Sequence, residues 1–276
     1  PNINTTTTTT KDIIYQEDTT EYINPSTSSF LTSSTEDQWR KLKSSSERIK
    51  DLKQINHSTI PYEPFRKNLY IESPEITNLT DHDVALLRKS NSDIKIRGKD
   101  IPKPILTWYH CGLNTTITNI LTQRQITKPF PIQMQAIPSI MIGRDIIGIA
   151  ETGSGKTLSY VLPLLRHVLD QRPLKDNEGP IALIMVPTRE LAVQIYQELR
   201  MFTKYLMLNV CCVYGGSAIG NQISELRRGC EIVVATPGRL IEILCLSNGK
   251  ITNLLRVTFV VIDEADEMLN MGFIEQ

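Results

Sequence analysis

From about Ile105 onward, short apolar runs recur along the chain, each separated from the next by a segment long enough for a helix. They are DIIGIA at 145–150, IALIMVP at 181–187, NVCCVYGG at 209–216, EIVVATP at 231–237 and TFVVID at 258–263. The intervening stretches, LSYVLPLLRHVL at 158–169 among them, carry apolar residues at helical spacing. Runs that are apolar throughout, rather than alternating, describe strands covered on both faces. Strands alternating with helices describe an α/β domain built on a parallel sheet. In such folds ligands bind where loops leave the carboxyl ends of the strands, so the residues that follow each run are the first place to look for chemistry.

The chain before this region reads differently. Residues 1–60 are rich in Ser, Thr and Asn, with a run of threonines from Thr5 to Thr10 and few large apolar residues, the composition of a disordered tail. Within it the alternating charges of Asp37 to Gln54 fit a short solvated helix, with Trp39 as the alternative, an anchor for a partner. Residues 61–104 hold scattered prolines and aromatics (Pro61, Tyr62, Pro64, Phe65, Tyr70, Pro74) and predict an extended arm, followed by a helix near Thr80 to Ser90 with Thr80 as its N-cap. The α/β domain then occupies residues 105–276.

The strongest local signal is AETGSGKT, Ala150 to Thr157, between a strand-like run and a helical segment. Strand, glycine-rich loop and helix in that order make a phosphate-binding loop. Ala150, Glu151, Thr152, Gly153, Ser154 and Gly155 supply backbone N–H groups around a β-phosphate, Lys156 a charge for the β and γ oxygens, and the Thr157 hydroxyl a ligand for Mg²⁺. Ala150 stands where the usual pattern has a glycine, so a plain connecting loop is the competing reading. About a hundred residues on, Asp263 and Glu264 close the run TFVVID. Paired carboxylates at the end of a buried strand gain a purpose from a metal and a water: Asp263 toward Mg²⁺, Glu264 toward the water that attacks in an in-line phosphoryl transfer. The bland alternative is an acidic helix start.

Taken with PTRELA at Pro187 to Ala192, Gly215-Gly216, TPGR at Thr236 to Arg239 and DEAD at Asp263 to Asp266, the order and spacing of these segments resemble the DEAD-box RNA helicases. The resemblance covers about Trp108 to the end of the chain. It implies a RecA-like P-loop NTPase domain that uses ATP and Mg²⁺. It also implies that Gln133, in KPFPIQ, reads adenine through its amide, and that Pro187, Arg189, Gly216, Thr236, Gly238 and Arg239 lie along the sugar-phosphate backbone of single-stranded RNA. Read without the family, PTRE and TPGR are ordinary helix starts with Thr as N-cap. The sequence departs from the family at Gln125-Ile126, where a glycine and an aromatic are usual and which lies 17 residues after Trp108, the isolated upstream aromatic. It departs again at Glu151, and at Glu267 and Asn270, where Arg and Asp are usual. Weaker stacking on adenine is the expected result of the first departure, and plain core packing is the alternative role for Trp108.

Outside the shared motifs, YEPFRKNLY, IRGKDIPKPI, DQRPL and EGPIALIMVPTRELAVQI resemble the splicing subgroup of the family. That implies a nuclear protein acting on the branch-site small nuclear ribonucleoprotein, with the transcription and ribosome-assembly members as the competing subgroup. The formal net charge is zero, which supplies no global field toward nucleic acid, so any RNA contact is local. Five cysteines without a CxxC pair support neither a disulfide framework nor a zinc site, and a reducing compartment is expected. No apolar stretch is long enough to span a bilayer, so no membrane partner is expected. A monomer is expected, and so is an enzyme whose second RecA-like domain lies outside this sequence, leaving this polypeptide alone near background turnover. A nucleotide- and RNA-binding scaffold without turnover is the alternative function.

Overall fold

The computed structural model describes residues 55–246 and 250–273. The helix expected at Asp37 to Gln54 lies outside them. Four strands form one sheet: β1 (Ala182–Met185), β2 (Val210–Val213), β3 (Ile232–Ala235) and β4 (Phe259–Ile262), in the order β2-β3-β1-β4. Every pairing is parallel, with Ala182 opposite both Ile232 and Phe259. Nine α-helices accompany them: α1 (Pro74–Thr77), α2 (Asp81–Ser90), α3 (Thr115–Gln123), α4 (Pro131–Met141), α5 (Lys156–Asp170), α6 (Arg189–Leu206), α7 (Ile219–Arg227), α8 (Pro237–Cys245) and α9 (Ala265–Asn270), counted among the described residues.

The central strands β1 and β3 are buried along nearly their whole length, as uniformly apolar sequences require. Against them pack Val161, Leu164, Leu165 and Val168 from α5 and Ile195, Leu199 and Phe202 from α6, each less than 3% exposed. Truncating a side chain of this kind to alanine costs about 2–5 kcal/mol, so packing by these helices is a main source of the sheet's stability.

One expected strand is missing. DIIGIA at 145–150 forms no ladder, and Ile147 and Ile149 are 93% and 90% exposed. At the sheet's β4 edge the burial alternates, with Val260 and Ile262 about half exposed, where the sequence predicts cover on both faces. The two observations have one physical reason: 145–150 has no hydrogen-bonded neighbour and β4 has one, β1. An apolar run becomes a buried strand only when both its backbone and its two faces find partners.

The arm at 61–73 is extended and tied down by polar contacts. The Leu69 amide donates to the Met141 carbonyl at 2.7 Å, Arg66 pairs with Asp170, and Glu63 accepts from Arg172 at 2.6 and 2.7 Å and from the buried Arg256 at 3.0 Å. Helix α2 starts where its cap predicts: the Thr80 hydroxyl accepts from the Asp83 amide at 3.2 Å, while the Asp83 carboxylate accepts from the Thr80 amide at 3.0 Å.

Helix α3 ends in a Schellman motif. The Ile126 amide donates to the Leu121 carbonyl at 2.9 Å and the Gln125 amide to the Thr122 carbonyl at 3.0 Å, which places Gln125 in the left-handed region at φ +58°. This is the position where the family usually has glycine, and the reason is steric, because a Cβ there crowds the following carbonyl. Two outcomes are expected. Gln125→Gly raises the unfolding free energy by roughly 0.5–1 kcal/mol in a denaturant titration, the left-handed strain outweighing the added freedom of the unfolded chain. In native-state hydrogen exchange, amides at 146–149 exchange far faster than those of β1 and β3, and equal protection would show that 145–150 is paired in solution.

Candidate nucleotide and RNA site

The parallel sheet delivers its candidate residues to one edge. PTRELA follows β1, Gly215-Gly216 follows β2, TPGR follows β3 and DEAD follows β4, so across the sheet the order of motifs is Gly-Gly, TPGR, PTRELA, DEAD. The four segments are neighbours because the strands that carry them are.

The phosphate loop runs into α5. Gly153 and Gly155 have φ of +79° and +84°, and Gly155 is the N-cap of the helix. A Cβ at Gly155 would overlap the Gln133 amide and stand 2.8 Å from the Phe130 ring, so only glycine fits there. The Lys156 ammonium donates to the Ala150 carbonyl at 2.6 Å and lies 3.4 Å from that of Glu151, curling across the loop. The Ser154 hydroxyl is buried without a partner. The first amides of a fifteen-residue helix, which have no intrahelical acceptor, a lysine spanning the loop and an orphaned hydroxyl form a donor set suited to an anion.

Gln133 is fully buried at the third position of α4. Its Oε1 accepts from the Phe130 amide at 2.8 Å and its Nε2 donates to the Gly155 carbonyl at 2.9 Å, which fastens the phosphate loop to the start of α4. Trp108 is 5% exposed in the core, its indole donating to the Ile126 carbonyl at 2.8 Å, and Ile126 packs against the same core. Of the two readings for Trp108, core packing is the one its position fits. The aromatic ring beside the loop is Phe130, about half exposed, which the sequence reading passed over.

Asp263 closes β4, its amide donating to the Met185 carbonyl at 3.0 Å. Its two carboxylate oxygens accept from different sides, Oδ2 from the Tyr160 hydroxyl at 2.8 Å and Oδ1 from the Glu264 amide at 3.0 Å. Tyr160 lies one turn after Lys156 on α5, so this bond ties the phosphate-loop helix to the acidic pair. Burial, then the Asp263 charge, pushes the Tyr160 hydroxyl far up, and it stays a donor at any working pH. Glu264 is in the left-handed region at φ +50°, ψ +47°, a conformation that costs a non-glycine residue of order 1–3 kcal/mol and collects at functional sites. Partial burial, then a hydrogen bond and charge from Glu267, raise its carboxyl above the usual range, with Asp263 and Asp266 adding to the effect. The departure at Glu267 therefore acts directly on Glu264.

The remaining candidates gather toward the β2 side of the same edge. The Arg189 guanidinium lies over the Tyr214 ring at 5.0 Å, and Gly216, at φ +77°, leaves an open approach in which a Cβ would stand 3.6 Å from Arg189. Arg239 donates to the Ser217 carbonyl at 3.2 Å and pairs with Glu242 at 3.0 Å. Thr188 caps α6 through the Leu191 amide, whereas the Thr236 side chain makes no such bond at the start of α8. Pro187 is buried; Arg189, Gly216 and Gly238 are exposed. Among the described residues no group of three His, Cys, Asp or Glu side chains converges to cage a metal. Mg²⁺ in phosphate sites needs no such cage, being held by one or two carboxylates together with the phosphates.

A glycine-rich loop ahead of a helix, an acidic pair closing β4 and a row of motifs along one edge of a parallel sheet are the features of a P-loop-type α/β domain. The DEAD/DEAH box helicase family matches residues 130–276, and the chain belongs to that family. It is 57% identical over 226 residues to DEAD-box ATP-dependent RNA helicase 45 of Oryza sativa subsp. japonica, covering 82% of this chain and 24% of that protein. It is 54% identical to the probable ATP-dependent RNA helicase DDX46 of Homo sapiens (80% and 22% covered) and 52% identical to the pre-mRNA-processing ATP-dependent RNA helicase prp5 of Botryotinia fuckeliana (81% and 19%). The chain thus spans a quarter or less of the length of these curated relatives. Among solved structures it is similar to the yeast DEAD-box splicing factor Prp28, with TM-score 0.67 and 32% identity over 72% of this chain and 46% of that one. It is also similar to Prp28 from Chaetomium thermophilum bound to ADP, with TM-score 0.65 and 36% identity over 75% and 50%. These likenesses agree with the parallel sheet flanked by helices and with a RecA-like DEAD-box fold.

The Glu264 environment yields a measurable expectation. Replacing the neighbouring charge in Glu267→Gln lowers the Glu264 ionisation midpoint toward the ordinary carboxyl range, read as a carboxyl-carbon NMR titration. An unchanged midpoint would mean that burial, with the charges of Asp263 and Asp266, sets it without Glu267.

Proposed function

We propose that this chain is the ATP-binding part of an RNA-dependent ATPase that remodels RNA or RNA–protein complexes in pre-mRNA splicing. The observation that carries the reading is the Tyr160–Asp263 hydrogen bond, because it locks the phosphate-loop helix to the acidic pair at the edge where the RNA motifs also emerge.

In this reading Lys156 leaves the Ala150 and Glu151 carbonyls and turns to the β- and γ-phosphates, exchanging neutral acceptors for charged ones. The amides of 151–155 and the start of α5 bind the phosphates, and the Ser154 hydroxyl gains an acceptor that it lacks. Thr157 and Asp263 are the residues that would hold Mg²⁺, which neutralises charge on the transferring phosphoryl group when bound. The donor set fits that ion, being an aliphatic hydroxyl and a carboxylate with lone pairs still free. Glu264 orients the attacking water and takes its proton; its raised carboxyl makes it a better acceptor than an ordinary glutamate. Gln133 is assigned to adenine. Pro187, Arg189, Gly216, Thr236, Gly238 and Arg239 are assigned to the RNA backbone, which suits sequence-independent binding.

The splicing assignment rests on the relatives' names, pre-mRNA-processing for one and splicing factor for a structural neighbour. A nuclear location and action on the branch-site ribonucleoprotein belong to the same reading, as the resemblance to the splicing subgroup implies. RNA, rather than a membrane, is the partner class, and the protein acts as a monomer.

Lys156→Ala is expected to weaken binding of a fluorescent ATP analogue to this chain by on the order of tenfold or more, since a charge-assisted contact is lost. Equal affinity for the two proteins would overturn the nucleotide assignment. For RNA, Arg189→Ala combined with Arg239→Ala should weaken single-stranded RNA of any sequence alike and flatten the salt dependence by about 1.4 in log–log slope, two phosphate contacts on a single strand. A loss confined to one sequence would point to base reading instead.

A further inference from the structure

Around the acidic pair lie two polar side chains to which the reading above gives no role toward the cation, Tyr160 and Glu198. Thr157 and Tyr160 are three residues apart on α5 and share a face of that helix, and the side chain of Glu198 reaches them from α6. Glu198 interacts with the Thr157 hydroxyl and feels the charge of Asp263, with Arg124 the one cation acting on it. Its Oε2 is buried and accepts no hydrogen bond. Tyr160 is buried in the core, with its hydroxyl aimed at Asp263 Oδ2, 2.8 Å away.

Two features of this group call for a cause. A phenylalanine at 160 would fill the same space without a polar atom to bury, and a buried hydroxyl costs stability unless it is bonded. The acceptor it finds is the very carboxylate that would face the cation. An orphaned buried carboxylate oxygen is also costly, and in a native structure it calls for an explanation such as a ligand or a bound water. Two carboxylates and two hydroxyls gathered on one spot, with a single arginine nearby, leave negative charge that a divalent cation and its hydration shell would offset.

We propose that Tyr160 and Glu198 are positioning residues of the cation site. Tyr160 fixes the Asp263 carboxylate in one rotamer by donating to Oδ2, and Glu198 accepts through Oε2 from a water in the cation's shell while holding the Thr157 hydroxyl in place. The inference deepens the nucleotide reading and rests on it. Hydrogen-bonded outer partners of metal-holding carboxylates are the general case rather than the exception. Neither side chain would touch the phosphates.

The test is the coupling between Mg²⁺ and nucleotide, measured on the whole chain with fluorescent ADP titrated over a series of Mg²⁺ concentrations and in EDTA. Tyr160→Phe and Glu198→Gln keep the volume of each side chain. Each is expected to raise the Mg²⁺ concentration for half-maximal coupling by about tenfold or more, with affinity in EDTA kept within about threefold of the parent, as for outer-shell changes at other metal sites. A merely structural role would instead lower the melting temperature and move both affinities together. Unchanged Mg²⁺ curves in both variants would overturn the proposal, and a shift in Glu198→Gln alone would return Tyr160 to core packing. Failure of the nucleotide reading looks different, since the parent chain would then bind no fluorescent ADP at any Mg²⁺ concentration, and the cation site would fall with it.

Discussion

The parallel run of the four strands is the constraint on which everything else depends. Because Ala182 sits opposite both Ile232 and Phe259, and Val210 opposite Ile232, the carboxyl ends of all four strands come level at one edge. Segments separated by tens of residues in the chain are brought side by side there with no further device. Had any one strand run the other way, its motif would lie at the far end of the sheet, about 10–15 Å from the rest at the rise of a four-residue strand. Helices α5 and α6, which pack together on one face of the sheet, also carry polar groups toward that edge, α5 with Lys156, Thr157 and Tyr160, α6 with Arg189 and Glu198.

Much of this was legible in the residues. IALIM, EIVVA and TFVVI declared themselves as strands through uninterrupted apolar character, and the three are strands. Thr80 announced the start of α2 through a cap that needs only local chemistry. DIIGIA carried the same apolar signal and forms no strand, because a periodicity records that a segment would be buried if partnered, and says nothing of whether the partner is at hand. The strand ends pointed to the candidate residues, yet Tyr160 and Glu198 were out of reach. A tyrosine inside an apolar helix and a glutamate inside an amphipathic one look like ordinary members of their faces. Their meaning comes from where two helices cross the end of a third element, which is tertiary information. Gln125 is an intermediate case, with a glycine position visible by resemblance and the left-handed turn visible only in the backbone.

Strain and polar crowding are not spread evenly through the domain. Glu264 adopts a conformation suited to glycine, next to Asp263, with Glu267 and Asp266 close by, while the arm on the other side of α5 is stitched by complementary pairs such as Arg172 with Glu63 and Glu178. In the second place charges are matched, and Glu178 is held down to about 2 chiefly by its hydrogen bonds from Arg172. In the first they are left mismatched. A fold that matches its charges where it can, and leaves like charges together at one strand end, suits the cation site proposed there.

The buried amide of Gln133 is set in place before any ligand arrives. One lone pair and one hydrogen are already committed, to Phe130 and to Gly155. A primary amide has two of each, so one acceptor site and one donor site remain. A base read through these residual valences would find a side chain whose rotamer entropy was surrendered during folding, and its own binding would not have to supply that ordering. The same two commitments join the amide and the loop in one rigid body: whatever displaces Gln133 also loosens Gly155, so in the proposed reading a wrong base would be felt at the phosphate loop as well as at the amide.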